Sequence, residues 1–235
     1  MANRVGAARQ MAQGSANGQG GTAQSSTARR EQLLRSALEV IVAHGYADTR
    51  IADVAEHAGT SPALVIYYFK TRDQLLTEAL RYSQDAWYAA GTQRLASVTT
   101  AVGRLTELIA MTCLPSTDPA QRSAWLLWLD LWALSLRNPG VATVRRKFDE
   151  RWREEISTIV LSGQDSGEFS AAVDAGEFAV TLSALLDGMA AQIALEDPDV
   201  PPSRAYDLAM RYAAGQLGFT LESSASGRPE SQRRS

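Results

Sequence analysis

Apolar residues recur at intervals of three and four along most of this chain, and nowhere alternate over a useful length. Leu33, Leu34, Ala37, Leu38, Ile41 and Val42 form the clearest such stripe and predict a helix from Arg30 that closes near Gly45. A short second helix is predicted over 51–57. Ser61-Pro62 then supplies a serine N-cap with proline at the first helical position, opening a third short helix. Thr71 and Gln74 have the spacing of a capping box and start a long fourth helix that runs to about Leu95. Five further helices are predicted over approximately 98–113, 119–137, 139–162, 174–195 and 203–221, with Asp118-Pro119 and Asn138-Pro139 marking two starts. Pro198, Pro201 and Pro202 separate the last two. The pattern therefore predicts an all-α chain of about nine helices without a long repeat. Two stretches lack it. Residues 1–26 are Gly, Ala, Gln and Ser with almost no large apolar side chain, residues 222–235 are similar, and both are expected to be disordered tails.

Composition narrows the class. Hydrophobic residues make up 45% of the 235 and charged residues 21%, enough apolar content to bury a core, so bulk disorder is excluded. The longest apolar stretch, residues 124–136, is 13 long and interrupted by Asp130, short of the roughly 20 that span a bilayer, so no membrane partner is expected. The single cysteine, Cys113, makes no intramolecular disulfide, and the N-terminal stretch lacks the apolar core of a secretory signal; a cytoplasmic location is expected. Net charge is −3, but unevenly placed. Up to Arg72 there are 8 basic and 5 acidic residues, net +3, leaving 15 basic and 21 acidic, net −6. A small basic end on a larger acidic body points to a polyanion at the N-terminal end.

The chemistry concentrates in Thr49 to Arg72, TRIADVAEHAGTSPALVIYYFKTR. Two short helices joined by a tight turn at Ala58-Gly59-Thr60 make a helix-turn-helix. Ala55 must be small because the second helix crosses close above it, Gly59 can take the positive φ of the turn, and Val54, Ala58 and Val65 point inward to fix the angle.

With the helix before it, this window resembles the DNA-binding domain of the TetR family of bacterial repressors. The likeness covers about residues 28–76 and rests on Thr49, Val54-Ala55, Ala58-Gly59 and Ser61, followed by Tyr67-Tyr68-Phe69, Thr71-Arg72-Asp73 and Leu75. Two departures are conservative: Tyr68 stands where a histidine is common, and Arg72 replaces the usual lysine. The resemblance implies a DNA-binding domain over residues 27–72 and a ligand-binding and dimerisation domain over 73–221. It also implies a third helix lying in the major groove of double-stranded DNA, with Thr60, Ser61, Ala63, Leu64 and Tyr67 at the bases. Thr49, at a helix N-terminus, and Arg50, Tyr68, Lys70 and Arg72 become phosphate contacts, to which Arg29, Arg30 and the tail arginines add charge. The reading set contains no Arg, Asn or Gln, so apolar contacts to thymine methyls are expected to matter. Tyr67 and Tyr68 are expected mostly at the surface, and Phe69 in the core.

In the larger half, the run from Trp125 to Asn138, with Leu185-Leu186-Asp187-Gly188 and Gln192, is similar to the C-terminal domain of the choline-responsive BetI-like branch. Trp125, Trp128 and Trp132 fall within about 60° of one another on a helix, and either pack in the core or form an aromatic wall for an organic cation. Asp130 lies about 140° from Trp125 and needs a partner if buried; Arg137 and a cationic ligand are both candidates, and Asp187 beside Ser183 is a similar case. The resemblance further implies a homodimer through the last two long helices, a palindromic operator, and release by a small-molecule effector. An activator in place of a repressor and a helical scaffold that binds no DNA remain as alternatives. Catalysis is not expected. His44 and His57 are the only histidines and both lie in the N-terminal part, no metal-ligand spacing or phosphate-cradling glycine loop occurs, and no cofactor or metal is implied.

Overall fold

The computed structural model describes residues 16–115 and 119–221, so the expected C-terminal tail and the first fifteen residues of the N-terminal one lie outside it. Among the described residues there are nine α-helices and no strand: α1 (Ala16–His44), α2 (Ile51–His57), α3 (Pro62–Phe69), α4 (Arg72–Ala96), α5 (Ala101–Cys113), α6 (Pro119–Ser135), α7 (Pro139–Asp165), α8 (Ala175–Ala194) and α9 (Pro202–Leu217). The chain is all-α, as its periodicity predicts, and no described helix is long and apolar enough to cross a membrane.

Helix ends differ from expectation where a local bond intervenes. α1 reaches back to Ala16, inside the stretch expected to be a tail: no proline interrupts 16–44, and extending an established helix costs little. α5 starts at Ala101 because the Thr100 hydroxyl accepts from the Gly103 amide at 3.1 Å and so takes the cap position. The expected capping box of α4 is half formed. Thr71 Oγ1 accepts from the Gln74 amide at 3.1 Å, but the Gln74 side chain donates to Glu78 at 3.1 Å, while the Thr71 amide bonds the Phe69 carbonyl at 2.6 Å. α9 stops at Leu217, whose carbonyl is taken by the Ser170 amide at 2.8 Å.

The described residues divide into two compact units, one falling within 1–89 and 117–147, the other within 90–116 and 148–235. In the first, α1 packs on α2 and α6, and α2 on α3. Leu33, Leu34, Ala37 and Ile41 of α1 bury their stripe with Val54, Ala55, Val65, Phe69, Leu75 and Leu76, and α6 contributes Leu127 and Leu131. Arg30 lies over the Phe69 ring, 5.0 Å from its centroid, and pairs with Glu78 of α4.

In the second unit α5 packs on α8 and α9. Leu105, Leu108 and Ile109 meet Leu182 and Leu186, and the row Ala205, Ala209, Ala213 presents a small-residue face to the core. Gly163 is required by close approach: a Cβ there would stand 2.1 Å from the buried Phe169 ring. Next to it, the Glu168 carboxylate caps α5 from outside the helix, accepting from the Ala101 and Val102 amides at 3.1 and 3.0 Å. Those two bonds, that to Val102 foremost, hold its carboxyl below the ordinary glutamate value.

Candidate nucleic-acid interface

The turn between α2 and α3 is built as its residue types require. Gly59 has φ +61°, its amide bonds the Glu56 carbonyl at 3.0 Å, and the Thr60 amide bonds the Ala55 carbonyl at 2.9 Å over a fully buried Ala55. The Ser61 hydroxyl accepts from the Leu64 amide at 3.3 Å and Pro62 fills the first helical position, so α3 begins where Ser61-Pro62 predicts.

On α3, Val65 and Phe69 are buried while Pro62, Ala63, Ile66 and Tyr67 face outward; Leu64 and Tyr68 are half-buried between these sides. Tyr67 is 68% exposed, with its ring edge-on to Tyr68 at 5.3 Å. Lys70 ends the helix at φ +59°, its amide bonding the Ile66 carbonyl at 2.9 Å, and its ammonium donates to the Tyr67 carbonyl at 2.7 Å and lies 5.3 Å from the Tyr67 ring centroid. Arg29 of α1 reaches Thr60 Oγ1 at 3.5 Å, bringing a guanidinium to the turn. Arg50 is exposed just ahead of α2, its amide capped by Asp53 at 3.0 Å.

Two expected phosphate contacts are placed differently. Thr49 is fully buried: its hydroxyl donates to the Gly45 carbonyl at 2.8 Å, and its own carbonyl accepts from Arg72 Nε at 2.6 Å. Arg72 also donates to the Ala47 carbonyl at 2.9 Å, to the Tyr46 carbonyl and to Asp73 at 3.0 Å, and lies over the Tyr46 ring. Both residues brace the α1–α2 loop, where Arg72 satisfies carbonyls that would otherwise be unpaired. Ile66, absent from the expected reading set, is 46% exposed between Ala63 and Tyr67. The helical spacing from Ala63 to Ile66 to Lys70 is the signal that places it there.

On α6 the buried positions are Leu127 and Leu131, and Trp125, Trp128 and Trp132 are half-buried beside them. The Trp128 and Trp132 rings lie 6.2 Å apart at 54°, and the buried Trp132 Nε1 has no hydrogen-bond partner among the described residues. Asp130 is raised above the ordinary aspartate value by burial, and its carboxylate accepts the Tyr46 backbone amide. Arg137 is not that partner: α6 ends at Ser135 and Arg137 sits exposed in the following turn. Asp187 is half-buried on α8, in the second unit. Burial pushes the Cys113 thiol up to about 12, so it stays protonated and unreactive.

Residues 33–79 match the tetR family of bacterial regulatory proteins, and residues 101–218 match the C-terminal domain of BetI-type transcriptional repressors. The HTH-type transcriptional regulator BetI of Burkholderia thailandensis is 31% identical over 190 residues, covering 78% of this chain and 91% of that protein. The chain belongs to the TetR family.

Solved TetR-like structures agree in fold. A transcriptional regulator from Saccharomonospora viridis in complex with choline superposes with a TM-score of 0.75 at 28% identity, covering 81% of this chain and 98% of that one. A TetR-family regulator from Rhodococcus sp. superposes at 0.69 with 27% identity, covering 80% and 98%. This TetR-family protein is thus a DNA-binding transcriptional regulator, with its helix-turn-helix in α2–α3 and a BetI-type C-terminal part.

Proposed function

We propose that the protein is a homodimeric repressor that holds a palindromic operator through α3 of each protomer and is released by a small organic cation. Residues 27–72 are the DNA-binding domain and 73–221 the ligand-binding and dimerisation domain. The outward stripe Ala63, Ile66, Tyr67 on a helix capped by Ser61 carries the DNA part, with Thr60, Leu64 and Tyr68 at its flanks and Arg50 and Lys70 as phosphate contacts. Ser61 itself is engaged as the cap through its hydroxyl.

For the effector, the paired Trp128 and Trp132 rings supply negative faces for a cation, with Trp125 on the same side of the helix. The orphan Trp132 indole N–H favours a ligand that also carries an acceptor oxygen. Choline, bound by the Saccharomonospora viridis regulator, has both features and is the probe of choice. Asp130 is already engaged by the Tyr46 amide, so we place the cation on the tryptophans. Asp187 is a separate candidate contact within the second unit.

The dimer reading is supported by α8. Val180, Ala184 and Gly188 line one face, with Leu195 following at the C-cap, and all are exposed and apolar. Two-fold symmetry through α8 and α9 sets two reading helices about 34 Å apart or more, which requires a palindrome.

Selection from a random duplex pool at about 0.15 M salt is expected to return one palindrome, and choline is expected to release it in an anisotropy titration. Recovery of no motif overturns the operator reading. Choline binding that leaves operator affinity unchanged overturns the switching mechanism, because a ligand without preference shifts nothing.

A further inference from the structure

Ile66 is a large apolar side chain turned outward on α3. It sits in an eight-residue helix whose core contacts are already made by Val65 and Phe69, and it leaves 46% of its surface exposed. Its neighbours on the same stripe are Pro62, Ala63 and Tyr67, all exposed. The two donors on this side are the Tyr67 hydroxyl and the Lys70 ammonium, and the latter is turned back onto the Tyr67 carbonyl. The side chains that form two-pronged hydrogen bonds to guanine or adenine, Arg, Asn and Gln, are absent from α3. In the major groove the one apolar feature a branched aliphatic side chain can cover is the thymine C5-methyl group.

We infer that Ile66 is a specificity-determining residue that reads thymine methyl groups in the operator. This rests on the DNA-binding reading above and deepens it. The contact is hydrophobic and directional through shape: Cβ branching fixes the side chain in few rotamers, so its methyl groups meet a partner methyl at one position in the groove. Tyr67, lying beside it, closes the contact from solvent.

The test starts from the selected operator and replaces each thymine in turn by deoxyuridine, which removes only the methyl group. At one or two symmetry-related thymines per operator, affinity is expected to fall about 4-fold per methyl contact, and about 15-fold when both half-sites are changed. Ile66→Ala is expected to weaken binding to the thymine operator and to bind thymine and deoxyuridine versions equally, whereas Ile66→Val retains part of the discrimination. Thermal melts of the variants alone report their folding. Specific binding by the parent protein with no deoxyuridine penalty at any position overturns the inference and leaves the regulator reading intact. A penalty that persists undiminished in a folded Ile66→Ala variant assigns the methyl contact to another residue and also overturns it. Absence of any sequence-specific binding removes the operator reading, and this inference with it.

Discussion

Glu168 closes a helix to which it does not belong. Its carboxylate takes the first amides of α5 from the loop after α7, satisfying donors that a helix start leaves open. The Ser166 hydroxyl donates to one of its oxygens at 3.0 Å and holds the side chain in place. Because the folded carboxyl sits below its unfolded value, its contribution is present above the ordinary glutamate value of 4.5 and is lost as pH falls through the folded value. Glu168→Gln is therefore expected to be less stable than the parent at about pH 7, with the gap closing as pH falls below 4.5. Urea denaturation at both pH values checks this, and a gap independent of pH would show that charge plays no part. Single residues of the reading unit were equally readable in advance. Gly59, Ser61 and Pro62 are tied to backbone geometry within a few positions of themselves, and each does in the fold what its chemistry demands.

Elements meet at the Tyr46 peptide. Its amide donates to Asp130 on α6 and its carbonyl accepts from Arg72 at the start of α4, so the α1–α2 loop is tied to both helices. Burial makes an ionised Asp130 costly, and the bond to Tyr46 offsets part of that cost. Asp130→Asn keeps an acceptor oxygen and removes the burial penalty, so its stability is expected to equal or exceed that of the parent. Asp130→Ala leaves the Tyr46 amide without its acceptor, and amide exchange at Tyr46 is expected to rise about 5-fold, the equivalent of one lost hydrogen bond of about 1 kcal/mol. Hydrogen-exchange rates of the two variants decide the matter; equal protection in both would mean that Asp130 does not hold the loop. None of these partners was legible in the sequence. Arg137 shares a helical face with Asp130 only if α6 continues past Ser135, which it does not.

At the scale of the whole molecule, the proposed repressor mechanism requires a second copy. The α8 face of Val180, Ala184 and Gly188, continued by Leu195 at its C-cap, leaves apolar surface exposed on a helix whose other side is in the core, with Leu182, Leu186 and Ala190 buried. Ala184→Glu places a charge at the middle of that face while its neighbours in the core stay untouched. A monomer in sedimentation velocity is expected, together with loss of the affinity advantage of a full palindrome over a single half-site. A dimer of unchanged strength would move the interface elsewhere.

The sequence by itself determined the all-α architecture, the helix-turn-helix and the family. Those follow from helical periodicity, caps and turn residues, which act over three or four positions and are written in order along the chain. It also determined that α3 carries no Arg, Asn or Gln. Tertiary structure alone decided that Thr49 and Arg72 brace the α1–α2 loop and that Asp130 answers to the Tyr46 amide. Each of those depends on which unpaired carbonyl or amide lies nearby after packing, and Arg72 and Thr49, 23 residues apart in the chain, become neighbours only then.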